Sequence, residues 1–247
     1  MPVSITIENY VAEVCMDFPK VNALNIQQTL EVASAITDTG KRDDVRAIVL
    51  TAAGKYFCVG ADVKELNSDA TLIGACNHGF YTMFAAVYDC LVPVLSVVQG
   101  HCLGGGIGLA GASDMVFAAE DALFGLPEVK VGALGGATHL MRLVGVQKTR
   151  YCMFTGEPLT AAEVAEHGSL HAVLPKDELL PAAMDVARKI AANSPAGVRL
   201  AKEALNGIEG KDLNKCYRWE QGFTLELYTS PESAAARAEQ VKSGFKK

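Results

Sequence analysis

Three short apolar runs constrain this chain more than any other feature: VRAIVLTA (45–52), VLSVVQG (94–100) and DMVFAAE (114–120). A strand with one wet face alternates apolar and polar residues. These runs are almost continuously apolar, so they suit strands buried on both faces, as in a parallel sheet covered by helices. Between the first two, Phe80, Met83, Phe84, Val87, Tyr88 and Leu91 recur at intervals of three and four. That stripe predicts a helix over 76–91, stopped by Pro93. A short helix should follow the glycines after residue 103. The order strand, helix, strand, helix, strand predicts an α/β fold.

The flanks extend this frame. Residues 5–18 read as two strands around a turn at Glu8-Asn9, and 26–38 as a helix. From 147 onward the pattern is nearly all helical, over 147–155, 160–166, 178–192, 195–208 and 212–228. In NSPAG (193–197), Ser194 suits an N-cap and Pro195 a first helical position. The reading is therefore a core over 1–192 and a helical C-terminal subdomain over 193–247.

Composition narrows the partners. The 247 residues carry a net charge of −6 with no run of Lys or Arg, which argues against nucleic acid and membrane surfaces. The cysteines number seven, form no C-x-x-C and sit partly inside apolar runs, as thiols do in a reducing compartment. No basic-then-apolar leader and no apolar run of membrane-spanning length is present, so a cytoplasmic protein is expected.

The stretch HCLGGGIGLAGASD (101–114) follows one buried strand. Its Gly106-x-Gly108-x-x-Gly111 has the spacing of a dinucleotide fingerprint. Only about eight residues then remain before the next strand, where a crossover needs roughly ten to twelve. Two readings remain: glycines for close helix packing, or main chain laid bare to a ligand. FCVGADVKEL (57–66) follows another buried strand by a short loop. Two small-residue turns, each offering an N–H, can converge on one oxygen as an oxyanion hole.

PKVNALN (19–25), FCVGADVKEL and GHCLGGGIGLAGASDMVFAAEDALFGLPEVKVG, in that order, resemble the crotonase (enoyl-CoA hydratase/isomerase) superfamily. The resemblance implies a spiral ββα core of the ClpP-like kind with a helical C-terminal subdomain. It implies Ala61 and Gly105 as oxyanion donors to an acyl-CoA thioester. It implies coenzyme A contacts from Lys20, Val21, Ala61, Asp62 and Val63, with an ordinary surface lysine as the other reading of Lys20. Coenzyme A would arrive as part of the substrate, with no other cofactor and no metal; the histidines lack ligand spacing. A homotrimer or a dimer of trimers is the implied assembly.

Hydratases of that superfamily use two glutamates. One position is Glu128, in GLPEVKVG; the other is Gly108, which cannot transfer a proton. The following segment, ALGGATHLMRLVG (133–145), is shorter than the common family pattern. It brings Thr138 and His139 toward the Glu128 wall, with His139 either a second proton-transfer group or a helix-surface residue. With YRWEQGFTLEL (217–227), it is similar to the actinobacterial crotonase-like hydrolases of steroid catabolism, which open a bicyclic β-diketone CoA ester. The expected reaction is hydrolytic carbon–carbon ring opening of a cyclic β-diketone or β-keto acyl-CoA. Enoyl-CoA isomerisation comes next, hydration third, and non-catalytic acyl-CoA binding is the reading from another class.

Overall fold

A computed structural model describes residues 2–210 and 212–243. The elements in chain order are β1 (Val3–Glu8), β2 (Val11–Met16), a one-turn α1 (Pro19–Asn22) broken at Lys20, β3 (Ala23–Leu24), α2 (Ile26–Gly40), β4 (Ala47–Ala52) and β5 (Gly60–Ala61). Then come α3 (Val63–Ser68), α4 (Ile73–Tyr88), β6 (Val94–Val98), β7 (His101–Leu103), α5 (Gly105–Ala112), β8 (Met115–Ala119) and β9 (Leu123–Gly125). The chain continues with α6 (Ala137–Thr155), β10 (Leu159–Thr160), α7 (Ala161–Ala165), β11 (Ala172–Leu174) and α8 (Lys176–Ala191). Helices α9 (Pro195–Ile208), α10 (Leu213–Tyr228) and α11 (Pro231–Ser243) complete it.

The three apolar runs are the centre of a six-stranded sheet in the order β1-β2-β4-β6-β8-β11. Only the β1–β2 hairpin is antiparallel; β2–β4, β4–β6, β6–β8 and β8–β11 are parallel. Every residue of β6, and all of β4 but its last, is buried, which is why neither could afford alternation. Helix α8 lies across β2, β4, β6 and β8, while α2 packs on β1, β2 and β4 and against α4. A three-stranded sheet, β10-β9-β7, and the β3–β5 pair stand apart from the main sheet.

The sequence reading misplaced some helical boundaries for local reasons. Helix α6 starts at Ala137, ten residues before the expected 147, and is broken at Gly145 (φ 69°, ψ 178°), so the expected 147–155 matches only its second part. The three-residue β11 falls inside the stretch read as nearly all helical, yet it closes the sheet beside β8. Helix α11 falls within the helical subdomain expected over 193–247, where no span of its own was expected. Among the described residues no helix is long and apolar enough to cross a membrane.

Candidate active site

Three extended segments run side by side. Phe57 N–H donates to the Gln99 carbonyl at 2.9 Å, Cys58 N–H to His101 at 3.2 Å, and Leu103 N–H to Cys58 at 2.9 Å. Next, β7 pairs in parallel with β9, Leu103 opposite Gly125, and Gly104 N–H donates to the Gly125 carbonyl at 3.1 Å. Because all three run the same way, their C-terminal ends meet. Those ends are Gly60-Ala61, Gly104-Gly105 and Leu126-Pro127-Glu128.

The meeting is close enough to require glycine. Gly60 has φ +93°, and a Cβ there would stand 3.1 Å from the Gly105 nitrogen. Gly104 has φ +53°, and a Cβ there would run into Glu128 Oε1. Gly105 opens α5, so its N–H belongs to the first helical turn, which has no intrahelical acceptor and carries the positive end of the dipole. Just past β5, Asp62 N–H donates to the Leu24 carbonyl at 2.8 Å.

Glu128 follows Pro127 in a short 3-10 turn, with Ala133 N–H donating to its main-chain carbonyl at 2.9 Å. Its Oε2 is buried without a hydrogen-bond partner among the described residues. Burial pushes the carboxyl up to about 8; its own main-chain N–H opposes this, and the charge of Glu220 adds to it. Glu128, Ala61, Gly104 and Gly105 line one cavity of about 90 Å³, closed by residues 133–136 and by side chains of α4 and α10. Among the described residues Glu128 is the one carboxylate in that lining.

The space at Gly108, the position of the superfamily's second glutamate, is filled from outside. A Cβ built there falls on the far edge of the Phe84 ring, against Cζ, Cε1 and Cε2. Phe84 sits on the predicted α4 stripe, beside Phe80, and both line the cavity.

His139 does not line the cavity, which corrects its expected part in proton transfer. It is 1% exposed, so it is not a helix-surface residue either. Its ring packs edge-on against Phe84 (4.7 Å between centroids) and Tyr217 (4.9 Å), and neither ring nitrogen has a partner among the described residues. Burial, and then Arg142, push its pKa down to about 3. It is a neutral core residue. Thr138 contributes its main chain, with its N–H donating to Glu220 Oε2 at 2.8 Å.

The expected coenzyme A residues are brought together. Ala23 and Leu24 pair with Gly60 and Ala61, and Asp62 caps α3 through Lys64 N–H at 3.0 Å. Lys20 is exposed and adopts φ 72°, ψ −65°, a strained three-residue turn. Asn22 holds that turn: its Nδ2 donates to the Ala53 and Tyr56 carbonyls at 3.0 and 2.9 Å, and its Oδ1 accepts from Phe18 N–H at 2.8 Å. Among the described residues no His, Cys, Asp and Glu cluster could hold a metal. The Cys58 thiol is pushed up to about 12 by burial, as befits a small hydrophobe.

The sequence reading assigned no role to Tyr217, Glu220, Thr224 or Tyr228 of α10. Tyr217, Thr224 and Tyr228 line the cavity. The available signal was a helical stripe of polar side chains at 217, 221, 224 and 228, all buried, while Trp219 and Phe223 face outward.

Residues 6–246 match the family model described as enoyl-CoA hydratase/isomerase. The chain is 47% identical over 231 residues to the (7aS)-7a-methyl-1,5-dioxo-2,3,5,6,7,7a-hexahydro-1H-indene-carboxyl-CoA hydrolase of Mycobacterium tuberculosis, covering 92% of this chain and 93% of that one. The Rhodococcus jostii enzyme of the same name is 44% identical over 237 residues, covering 95% and 92%. Among solved structures, an enoyl-CoA hydratase/isomerase from Xanthobacter autotrophicus superposes with a TM-score of 0.90 at 27% identity, covering 99% of this chain and 94% of that one.

Proposed function

Because the chain belongs to the enoyl-CoA hydratase/isomerase family, we propose that it opens the ring of a cyclic β-diketone or β-keto acyl-CoA by adding water across a carbon–carbon bond. The observation that carries this is Glu128, the one carboxylate lining the cavity among the described residues, with the Phe84 ring at the position a second would need. Two relatives that are named hydrolases of an indene-dione CoA thioester support the substrate class.

One carboxylate suffices for this reaction. Ionised Glu128 takes a proton from water as the water oxygen attacks the ring ketone carbon. The tetrahedral adduct collapses to a carboxylic acid, and the carbon–carbon bond breaks. Its electron pair passes to the carbon α to the thioester, giving an enolate. The N–H groups of Ala61 and Gly105 hold the enolate oxygen. Glu128 then returns its proton to the α-carbon. Water has been added and no second acid is required. Since the carboxyl must be ionised first, turnover rises with pH to a plateau above about 8. Lys20, Val21, Ala61, Asp62 and Val63 are the proposed coenzyme A contacts, and Ala61 among them lines the cavity.

The outer helices support assembly into a homotrimer or a dimer of trimers. Helix α9 buries Lys202 and exposes Leu200, Leu205 and Ile208, while α10 buries Gln221 and Thr224 and exposes Trp219 and Phe223. Such inverted faces need covering by other copies. Light scattering that returned a monomer mass would contradict this.

A lone carboxylate can equally carry a proton between two carbons, so enoyl-CoA isomerisation is the second reading. A CoA-ester panel separates the two. Ring opening of a cyclic β-keto ester, cut roughly 100-fold or more in Glu128→Gln, supports hydrolysis. Double-bond migration in a 3-enoyl-CoA without ring opening supports isomerisation. Rapid hydration of crotonyl-CoA by the wild type overturns both.

A further inference from the structure

Glu220 lies on the α10 face that closes the cavity, although it is not part of the lining. Its Oε1 accepts from Ala137 N–H at 2.7 Å and its Oε2 from Thr138 N–H at 2.8 Å. These are the first two N–H groups of α6, whose own N-cap is Gly136 and supplies no side chain. A carboxylate from a distant helix thus does the capping. One turn further along α10, Thr224 Oγ1 donates to the Leu134 carbonyl at 2.9 Å. Between the two anchors stand Gly135 and Gly136, both at positive φ and both lining the cavity. A Cβ on Gly136 would be 3.4 Å from the Gly104 carbonyl oxygen, so this wall abuts the oxyanion turn.

We propose that Glu220 is a positioning residue for the site: its two-pronged hold on α6 fixes the glycine wall against the Gly104-Gly105 turn, and its buried negative charge acts across the cavity on Glu128. Two N–H donors and the positive end of α6 favour the anion of Glu220. Burial raises both carboxyls, but Glu128 Oε2 has no donor among the described residues. Glu220 therefore ionises first, and its charge then opposes the ionisation of Glu128.

The other groups around Glu128 do not supply or cancel that charge. Tyr217 of α10 and Cys76 of α4 are pushed up by burial and stay neutral, and His139 of α6 is held neutral. Arg142 of α6 is paired with Glu209 at 2.5 Å, Lys130 with Glu157 at 2.6 Å, and Arg237 of α11 turns to Ser233 and the Tyr228 carbonyl.

This inference rests on Glu128 being the acid–base group of the site, but its test needs no substrate. The Glu128 carboxyl is titrated by infrared spectroscopy, assigned by difference from Glu128→Gln. The wild-type midpoint should lie near 8. Glu220→Gln should lower it by roughly one pH unit. Thr224→Val frees the same wall at Leu134 without changing charge, and should leave the midpoint alone while cutting turnover. An unmoved midpoint in Glu220→Gln, or an equal shift in Thr224→Val, overturns the proposal. Should Glu220→Gln not fold, Glu220→Asp keeps the charge while shortening the reach. Reduced turnover at an unchanged midpoint then supports the proposal, and a shifted midpoint overturns it. If the midpoints behave as expected while no cyclic β-keto ester is opened, the reaction is refuted and the role of Glu220 stands.

Discussion

Restoring the missing carboxylate is the sharpest probe of how this site is built. In an exposed helix, replacing Gly108 would stabilise α5 by roughly 1 kcal/mol, because glycine is a poor helix former. Here a Cβ would overlap three atoms of the Phe84 ring, about 1 Å or more inside the ~3.5 Å carbon–carbon optimum. Phe84 cannot simply swing aside, since it is 2% exposed and packed against Phe80, His139 and Tyr217. Overpacking of this kind costs about 1–3 kcal/mol, and a glutamate adds a second carboxyl to a cavity that already holds one. Gly108→Glu should therefore lose on the order of 3 kcal/mol, or about 6–12 °C in Tm for a chain of this size. It should gain no hydration of crotonyl-CoA. Phe84→Ala alone should cost about 3–5 kcal/mol through the cavity it leaves. The double variant should be more stable than the sum of the two losses, by roughly 1–3 kcal/mol, because one side chain takes the space the other vacates. Any hydratase activity should emerge only in the double variant. The assay is a double-mutant cycle by thermal melts, with crotonyl-CoA turnover followed on all four proteins. A Gly108→Glu protein melting within a degree of wild type, or a cycle additive within about 0.5 kcal/mol, would refute the reasoning.

Two further expectations concern pH. The folded state holds the Glu128 proton up to about 8, whereas the unfolded chain releases it near 4.5. That contribution to stability is fully present below 4.5 and is lost as pH rises toward 8, by about 1.4 kcal/mol per unit. Glu128→Gln should thus gain stability over wild type between pH 5 and pH 8 in urea titrations, and a constant difference would count against the buried carboxyl. His139 runs the other way: the unfolded chain takes up its proton near 6.5 and the folded state only near 3. Its contribution is present above 6.5 and falls away with acid, by roughly 2 kcal/mol at pH 5. His139→Phe should flatten the acid limb of the stability curve, and an unchanged limb would show that the ring titrates normally.

How far the sequence disclosed this molecule depended on how local the signal was. β4, β6 and β8 could be read because continuous burial leaves its mark on every residue of a strand. Ala61, Gly105 and Glu128 were expected at one site because the motifs that carry them resemble those of the superfamily, and all three line one cavity. His139 could not be placed: proximity in sequence to the Glu128 wall says nothing of rotation about α6, and one helical position turned it into the core. Glu220 was invisible for a different reason. Its partners, the Ala137 and Thr138 N–H groups, are main-chain groups more than eighty residues away, and no residue type at 137 or 138 announces that a carboxylate caps them. The Phe84 ring over Gly108 belongs to the same class, since the stripe on α4 was legible but its occupant was not.

The most direct test of the central claim is isotopic. The protein is incubated with a cyclic β-diketone CoA ester in oxygen-18 water, and the product is weighed by mass spectrometry. Water attack on the ring ketone predicts a ring-opened carboxylic acid carrying one oxygen-18 in its new carboxyl group, formed at least roughly 100-fold more slowly by Glu128→Gln. An intact ring beside rapidly hydrated crotonyl-CoA, or ring opening undiminished in Glu128→Gln, would contradict it.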